Sequence, residues 1–303
     1  MRRNTQQLGE RTDVTRRNLL RNGGLTFLAL SLFAGLSQGV AQAQEQNLFV
    51  ANQLSTTVRE FSPIGADLGD FASAPLSGPT GLAFDRAGNL YVSYIFSNTI
   101  RKFSPTGADM GNFATAADGL ILPRGLAFDR RGNLYVANND NRVLIFSADG
   151  ASLGFFTASG LSVPRGIAFD RRGNLYVSNA VTGTIWKISP SGDDLGEFAG
   201  GLSVPALIAF DRIGNLYATS MAVNAVRKFS PDGEDLGDFA TAGLSGPAGL
   251  AFDRRGNLYV SSRGNNTVRV FSPSGADLGV FASTGLSGPV GLAFRHEPDE
   301  EDE

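Results

Sequence analysis

A run close to Asn-Leu-Tyr-Val recurs six times, beginning at Asn47, Asn89, Asn133, Asn174, Asn215 and Asn257, at intervals of 42, 44, 41, 41 and 42 residues. A fixed period of this size means that one short supersecondary unit is stacked repeatedly, since a unit of about 40 residues cannot bury its own apolar faces. The unit from Gly125 to Pro164 shows what is stacked. Gly125 to Phe128, Asn133 to Val136, Arg142 to Phe146 and Leu153 to Phe156 are four successive apolar runs, read here as strands a to d. Asp-Arg-Arg-Gly-Asn joins a to b and Ser-Ala-Asp-Gly-Ala-Ser joins c to d, and both supply the Gly, Asn and Asp that tight hairpins need.

Four strands at this period make the blade of a β-propeller. Strand a starts at Gly81, Gly125, Gly166, Leu207, Gly249 and Gly291, six in all, matching six b strands. The chain enters at a strand b (Asn47 to Val50) and its last apolar run, Gly291 to Phe294, is an unpartnered strand a. The expectation is an all-β, six-bladed propeller of four-stranded antiparallel blades, closed by the C-terminal strand pairing with the N-terminal blade. Closure also leaves only short outer edges open to unwanted pairing.

These units resemble the NHL-repeat family of propellers, whose pattern of Pro, small residue, Gly, apolar strand, Asp, Gly-Asn, apolar pair and Val is met almost throughout from Gly249 to Pro273. The resemblance covers 47 to 294 and is shared with gluconolactonase-like and strictosidine-synthase-like six-bladed propellers. It implies fold more than function. WD40 propellers are disfavoured by the single tryptophan, Trp186, and kelch propellers by their longer period.

Although 303 residues would accommodate two domains, the repeats fill one ring, so a single domain over 44–296 is expected. The 22 phenylalanines suit the space between adjacent sheets, and the absence of cysteine removes disulfide and thiolate chemistry. Ahead of the ring, Thr15 to Arg21 with its Arg16-Arg17 pair, the apolar run from Leu25 to Leu36 and Ala41-Gln42-Ala43 form a signal-peptide pattern. Its twin arginine resembles the bacterial Tat motif, and twelve apolar residues fall short of the roughly 20 that span a bilayer. Cleavage of residues 1–43 would place the mature protein in the periplasm or outside the cell, with no membrane span. Those residues carry six arginines against two acids, so the mature net charge is −7 against −3 for the whole sequence. Six of the negatives lie in the tail 297–303, read as a disordered end, and the ring is near neutral. A nucleic-acid partner, which would call for a basic stripe, is therefore not expected.

Differences between copies locate the chemistry. The Asp-Arg turns at Asp85, Asp129, Asp170, Asp211 and Asp253 hardly vary and read as scaffold, with Asp accepting turn N–H groups. On the opposite face the copies diverge: the residue before each strand a start is Thr80, Arg124, Arg165, Ala206, Ala248 and Val290. The b-to-c loops there differ as well, from Ser93-Tyr94-Ile95-Phe96 to Ser261-Ser262-Arg263-Gly264. Loops on a rigid scaffold carry function. Arg124 and Arg165 begin adjacent inner strands and suit a carboxylate or phosphate. Asn138, Asn139, Asp140 and Asn179 flank them with polar groups, and Tyr94 and Phe96 offer an apolar wall.

In the enzymatic propellers that the resemblance brings in, a metal sits over the channel, held by Glu, Asp and Asn or by His. Here the one histidine, His296, lies beside the acidic tail, and strand a has no carboxylate at its mouth. Asp140 and Asn138 could give calcium two oxygens, where six to eight are usual. The family's frequent Asp two residues beyond strand b is replaced by Asn52, Tyr94, Asn138, Asn179, Ser220 and Ser262. The expected function is an exported scaffold binding a protein, a peptide or an anionic carbohydrate at the variable loop face, without a cofactor. The alternative is a calcium-dependent hydrolase or lyase of the gluconolactonase-like class.

Overall fold

The computed structural model describes residues 46–295. The leader expected over 1–43, the tail over 297–303 and His296 lie outside the described residues. Each Asn-Leu-Tyr-Val run forms the second strand of a four-stranded antiparallel sheet, and the described residues contain six such sheets. That strand has neighbours on both edges and a blade against each face, so all five residues of Leu90–Tyr94 are buried. The outermost strand, such as Asp235–Ala240, alternates exposed and partly buried positions before ending on a buried alanine.

Blade 1 consists of Pro289–Phe294, Leu48–Asn52, Thr57–Phe61 and Asp67–Ser73, in that order from the axis outward. Leu48 pairs with Phe294, Phe49 with Ala293 and Val50 with Leu292, so the C-terminal strand closes the ring as the repeat order requires. Blades 2 to 6 follow in chain order, with innermost strands Pro79–Phe84, Leu126–Phe128, Pro164–Phe169, Pro205–Phe210 and Pro247–Phe252.

Aromatic side chains hold neighbouring blades together. The Tyr of strand b lies between the Phe of its own strand d and the Phe ending strand a of the next blade. Tyr176, for example, meets Phe198 at 4.8 Å and Phe210 at 4.9 Å, both edge-on. Tyr91, Tyr217 and Tyr259 repeat this, Tyr135 meets Phe169 edge-on but stacks on Phe156 at 6.0 Å, and Phe49 takes the place in blade 1, meeting Phe71 and Phe84. Each such pair contributes about 0.5–1.5 kcal/mol beyond the area it buries.

The a-to-b turns behave as the sequence suggests. Asp129 accepts from the backbone N–H groups of Arg131 and Asn133 at 2.8 Å and from the Asn133 amide at 2.9 Å. Two of the turn arginines also link blades: Arg86 donates to the Arg130 carbonyl at 3.0 Å, and Arg130 to the Arg171 carbonyl at 2.6 Å.

Near the axis the inner strands approach closely. A Cβ on Gly81 would lie 2.0 Å from the Arg124 carbonyl oxygen, and one on Gly249 would lie 1.9 Å from that of Val290. No side chain fits at these two positions, and glycine holds the place in every blade but the fifth, which has Leu207. A serine of strand b fills the remaining gap: the Ser93 hydroxyl accepts from Gly81 N–H at 2.8 Å and donates to the Arg124 carbonyl at 2.6 Å. Ser261 links Gly249 to Val290 in the same way, at 2.7 Å on each side.

Candidate functional site

The residue before the inner-strand glycine, or before Leu207 in blade 5, lines the mouth of the channel, and the carbonyls of Arg124, Arg165, Ala206, Ala248 and Val290 are held by a group of the preceding blade. All six such residues, Thr80, Arg124, Arg165, Ala206, Ala248 and Val290, border one cavity of about 250 Å³. A second ring comes from the residue following strand b, of which Gln53, Ile95, Met221 and Arg263 reach the same cavity. Leu207, standing where five blades have glycine, contributes its side chain to the wall, and Phe96 lies at the rim with 66% of its surface exposed.

The lining contains three guanidinium groups and no carboxylate. Five arginines elsewhere in the ring are neutralised: Arg59, Arg101, Arg142, Arg227 and Arg269 each pair with an aspartate, Arg101 meeting Asp109 at 2.6 Å. No such partner is recorded for Arg124, Arg165 or Arg263 among the described residues. Arg165 has only a long contact, 3.5 Å, to the Met221 sulfur. The buried Nε atoms of all three have no hydrogen-bond acceptor. Burial, together with repulsion from Arg165 and Arg263, brings Arg124 down to about 10. Burial and repulsion from Arg263 lower Arg165 as well. Buried donors arrayed around a void without a counter-charge form a site for an oxyanion.

Of the residues singled out from sequence, Arg124, Arg165 and Phe96 meet at this mouth, and the others are elsewhere. Asn138 and Asn179 are fully buried and act as loop clamps. Asn138 accepts from Ile121 N–H at 2.7 Å and donates to the Gly119 carbonyl at 3.0 Å, while Asn179 accepts from Ser162 N–H at 3.0 Å. Asn52, Ser220 and Ser262 do the same in their blades, so the last position of strand b, where NHL repeats often have Asp, is a structural tie here. Asn139 is half-buried, with its N–H on the Ile121 carbonyl at 2.9 Å. Asp140 accepts from Asn138 at 2.7 Å and pairs with Arg142, so the two oxygens considered for calcium are engaged by protein donors. Among the described residues no three His, Cys, Asp or Glu side chains converge on a metal-sized site. Tyr94 turns away from the mouth into the core shared by blades 1 and 2, and burial raises its phenol far above the ordinary value.

Arg263 is the charged lining residue that the sequence reading did not single out. It occupies the position after strand b, and its blade stands across the channel from the one carrying Arg124, so no adjacency along the chain connects them.

A larger cavity of about 730 Å³ opens among the a-to-b turns. Its walls include Phe84, Phe210 and Phe252, and two aspartates, Asp211 and Asp253, stand there among five bases, Arg171, Arg212, Lys228, Arg254 and Arg255. The mouth has arginines alone, with no carboxylate in its lining and with buried Nε atoms that lack an acceptor, and is therefore the better candidate for an anion.

No family model matches the chain, and no curated protein matches it by sequence. Solved structures match it as a fold. A chain of a nidogen/laminin complex superposes with a TM-score of 0.74 at 21% identity, covering 84% of this chain and 100% of its own. A protein of unknown function from Bacteroides caccae gives 0.68 at 16% identity, with coverage of 84% and 100%. Virginiamycin B lyase from Staphylococcus aureus gives 0.58 at 19% identity, covering 72% of this chain and 77% of the lyase. At these identities the similarity establishes the six-bladed propeller and nothing finer.

Proposed function

We propose that this chain is an exported binding propeller that captures an anionic group of its ligand at the channel mouth. The observation that carries this reading is the convergence of Arg124, Arg165 and Arg263 on one cavity with no acid in its lining. Charge-assisted hydrogen bonds to such groups contribute about 1.5–3 kcal/mol each, so three of them at the upper end of that range reach the roughly 8 kcal/mol of a micromolar ligand when the pocket is preformed. The cavity holds no general base, and its groups are suited to holding a ligand. Phe96, Ile95, Met221 and Val290 supply apolar contact around the charge. That a similar ring occurs in a complex of two proteins supports an acidic protein or peptide as partner alongside an anionic carbohydrate. Export through the twin-arginine route rests on Arg16 and Arg17, and no helix among the described residues is long and apolar enough to cross a membrane.

Two experiments test the reading. Immobilised protein is screened against acidic oligosaccharides, acidic peptides and their neutral counterparts, in parallel with an Arg124→Gln, Arg165→Gln double variant. Wild-type binding confined to the acidic probes and lost in the variant is expected; equal retention by both proteins rules the mouth out. Separately, Arg16→Lys with Arg17→Lys should leave uncleaved precursor in the cytoplasm. Normal export of that variant would point to the general secretory route.

A further inference from the structure

Three arginines are more than a carboxylate needs. A carboxylate has two oxygens and is satisfied by one arginine in bidentate geometry. Bound in this mouth, it would leave two of the three guanidiniums without a counter-charge, and at least one buried Nε still without an acceptor. A phosphate monoester carries about −1.5 to −2 charges near neutral pH and presents three strongly accepting oxygens. Both counts match the lining, with one oxygen for each guanidinium and close to two charges against three.

The rest of the cavity has a different character. Gln53 donates to the Thr80 hydroxyl at 3.3 Å on the neutral side of the mouth, a pair suited to recognising a hydroxyl. Phe96, at the rim, gives a flat apolar platform. A mouth of about 250 Å³ that opens to solvent past the exposed Phe96 has room for a phosphate and a sugar-sized ring.

We infer that the channel mouth is a phosphate-monoester site, in which Arg124, Arg165 and Arg263 jointly hold one dianionic phosphate and a polyhydroxyl carrier occupies the space between Gln53, Thr80 and Phe96. This rests on the anion-binding reading above and narrows it. The site prefers a phosphate to a carboxylate on the same carrier, because the mutual repulsion of three like charges is relieved in proportion to the charge that the ligand brings. The preference also depends on pH. The arginines stay protonated throughout the neutral range, whereas the phosphate loses its second negative charge as pH falls through about 6.

The test uses isothermal titration calorimetry with four probes that separate the contributions: glucose 6-phosphate, glucuronate, glucose and inorganic phosphate, each at pH 7.5 and pH 5.5. Glucose 6-phosphate should bind at least tenfold more tightly than glucuronate at pH 7.5 and weaken severalfold at pH 5.5, while glucose shows no binding. Inorganic phosphate should compete for the same site; equal affinity for it and for glucose 6-phosphate would support the phosphate site while removing the carrier's share. Each of Arg124→Gln, Arg165→Gln and Arg263→Gln should cost roughly tenfold, with lysine at the same position restoring part of it, since lysine keeps the charge but loses the fork. Glucuronate binding as tightly as glucose 6-phosphate, or a phosphate affinity indifferent to pH, would overturn the phosphate assignment and leave the anion site standing. Failure of every anion to bind would remove the anion reading as well. Glucose 6-phosphate binding that the three glutamine variants do not alter would place the ligand elsewhere and overturn the assignment.

Discussion

The Ser93 hydroxyl donates to the carbonyl of Arg124, a residue of the next blade, at 2.6 Å, while accepting from Gly81 N–H in its own blade. A core hydrogen bond thereby sets the backbone from which a ligand-facing side chain projects. Blade 3 has Ala137 at the equivalent place and contacts its neighbour directly, Gly125 N–H to the Arg165 carbonyl at 2.8 Å.

Ser93→Ala strands the buried Gly81 N–H and frees Arg124. A loss of about 1–2 kcal/mol in urea unfolding is expected, together with weaker anion binding. Unchanged stability would show that blade 2 can adopt the direct contact of blade 3 and that the serine is dispensable.

The mouth arginines should cost stability until a ligand arrives. Arg124 is lowered to about 10 in the folded protein, well below the ordinary value for arginine, so folding disfavours its charged form. At pH 7 this penalty is fully present, and it disappears only as pH rises through the interval between those values. Arg124→Gln should therefore raise the melting temperature of the ligand-free protein by a few degrees at pH 7 and reduce the rise that an anion produces. A lower melting temperature would mean that the guanidinium is compensated after all.

Val163, just before Pro164, has φ of 52°, and Val204 has φ of 51°, a left-handed conformation unfavourable for β-branched residues. Blades 2, 6 and 1 place Gly78, Gly246 and Gly288 at the corresponding turn. The strained loop leads directly into Arg165. Val163→Gly should stabilise the protein by about 1 kcal/mol as strain is released. Differential scanning calorimetry measures this, and destabilisation would show that the valine side chain makes contacts worth more than the strain.

Ring closure depends on Pro289–Phe294 pairing with Leu48–Asn52. Truncation after Gly288 opens an edge along blade 1 and exposes Tyr259, whose ring packs on Phe294 at 5.1 Å. That protein should unfold or oligomerise in size-exclusion chromatography, whereas truncation after His296 should leave a monodisperse ring. Equal behaviour of the two would contradict closure by this strand.

The repeat made the architecture readable, because period, strand count and the unpaired ends at Asn47 and Gly291 allow one closed solution. Arg124 and Arg165 were legible for a related reason: they are departures at a position whose place in every blade is set by the glycine after it. Arg263 was not, because its proximity to Arg124 arises across the ring, where separation along the sequence carries no information. Asn138 and Asn179 looked like ligand groups since polar side chains at loop edges commonly are. Their burial and their bonds to Ile121 and Ser162 appear only once the loops between blades are in place. Tyr94 was misleading in another way. Its blade lacks the small polar clamp found in the other five, and the ring instead fills the core between blades 1 and 2.

The central claim, that an anion belongs at the channel mouth among Arg124, Arg165 and Arg263, is tested most directly by an anomalous difference map from crystals soaked in tungstate at millimolar concentration. The account predicts one dominant peak within hydrogen-bonding distance of all three guanidinium groups, absent from crystals of the Arg124→Gln, Arg165→Gln, Arg263→Gln variant. An empty mouth, with tungstate bound instead among the turn arginines of the opposite face, would contradict it.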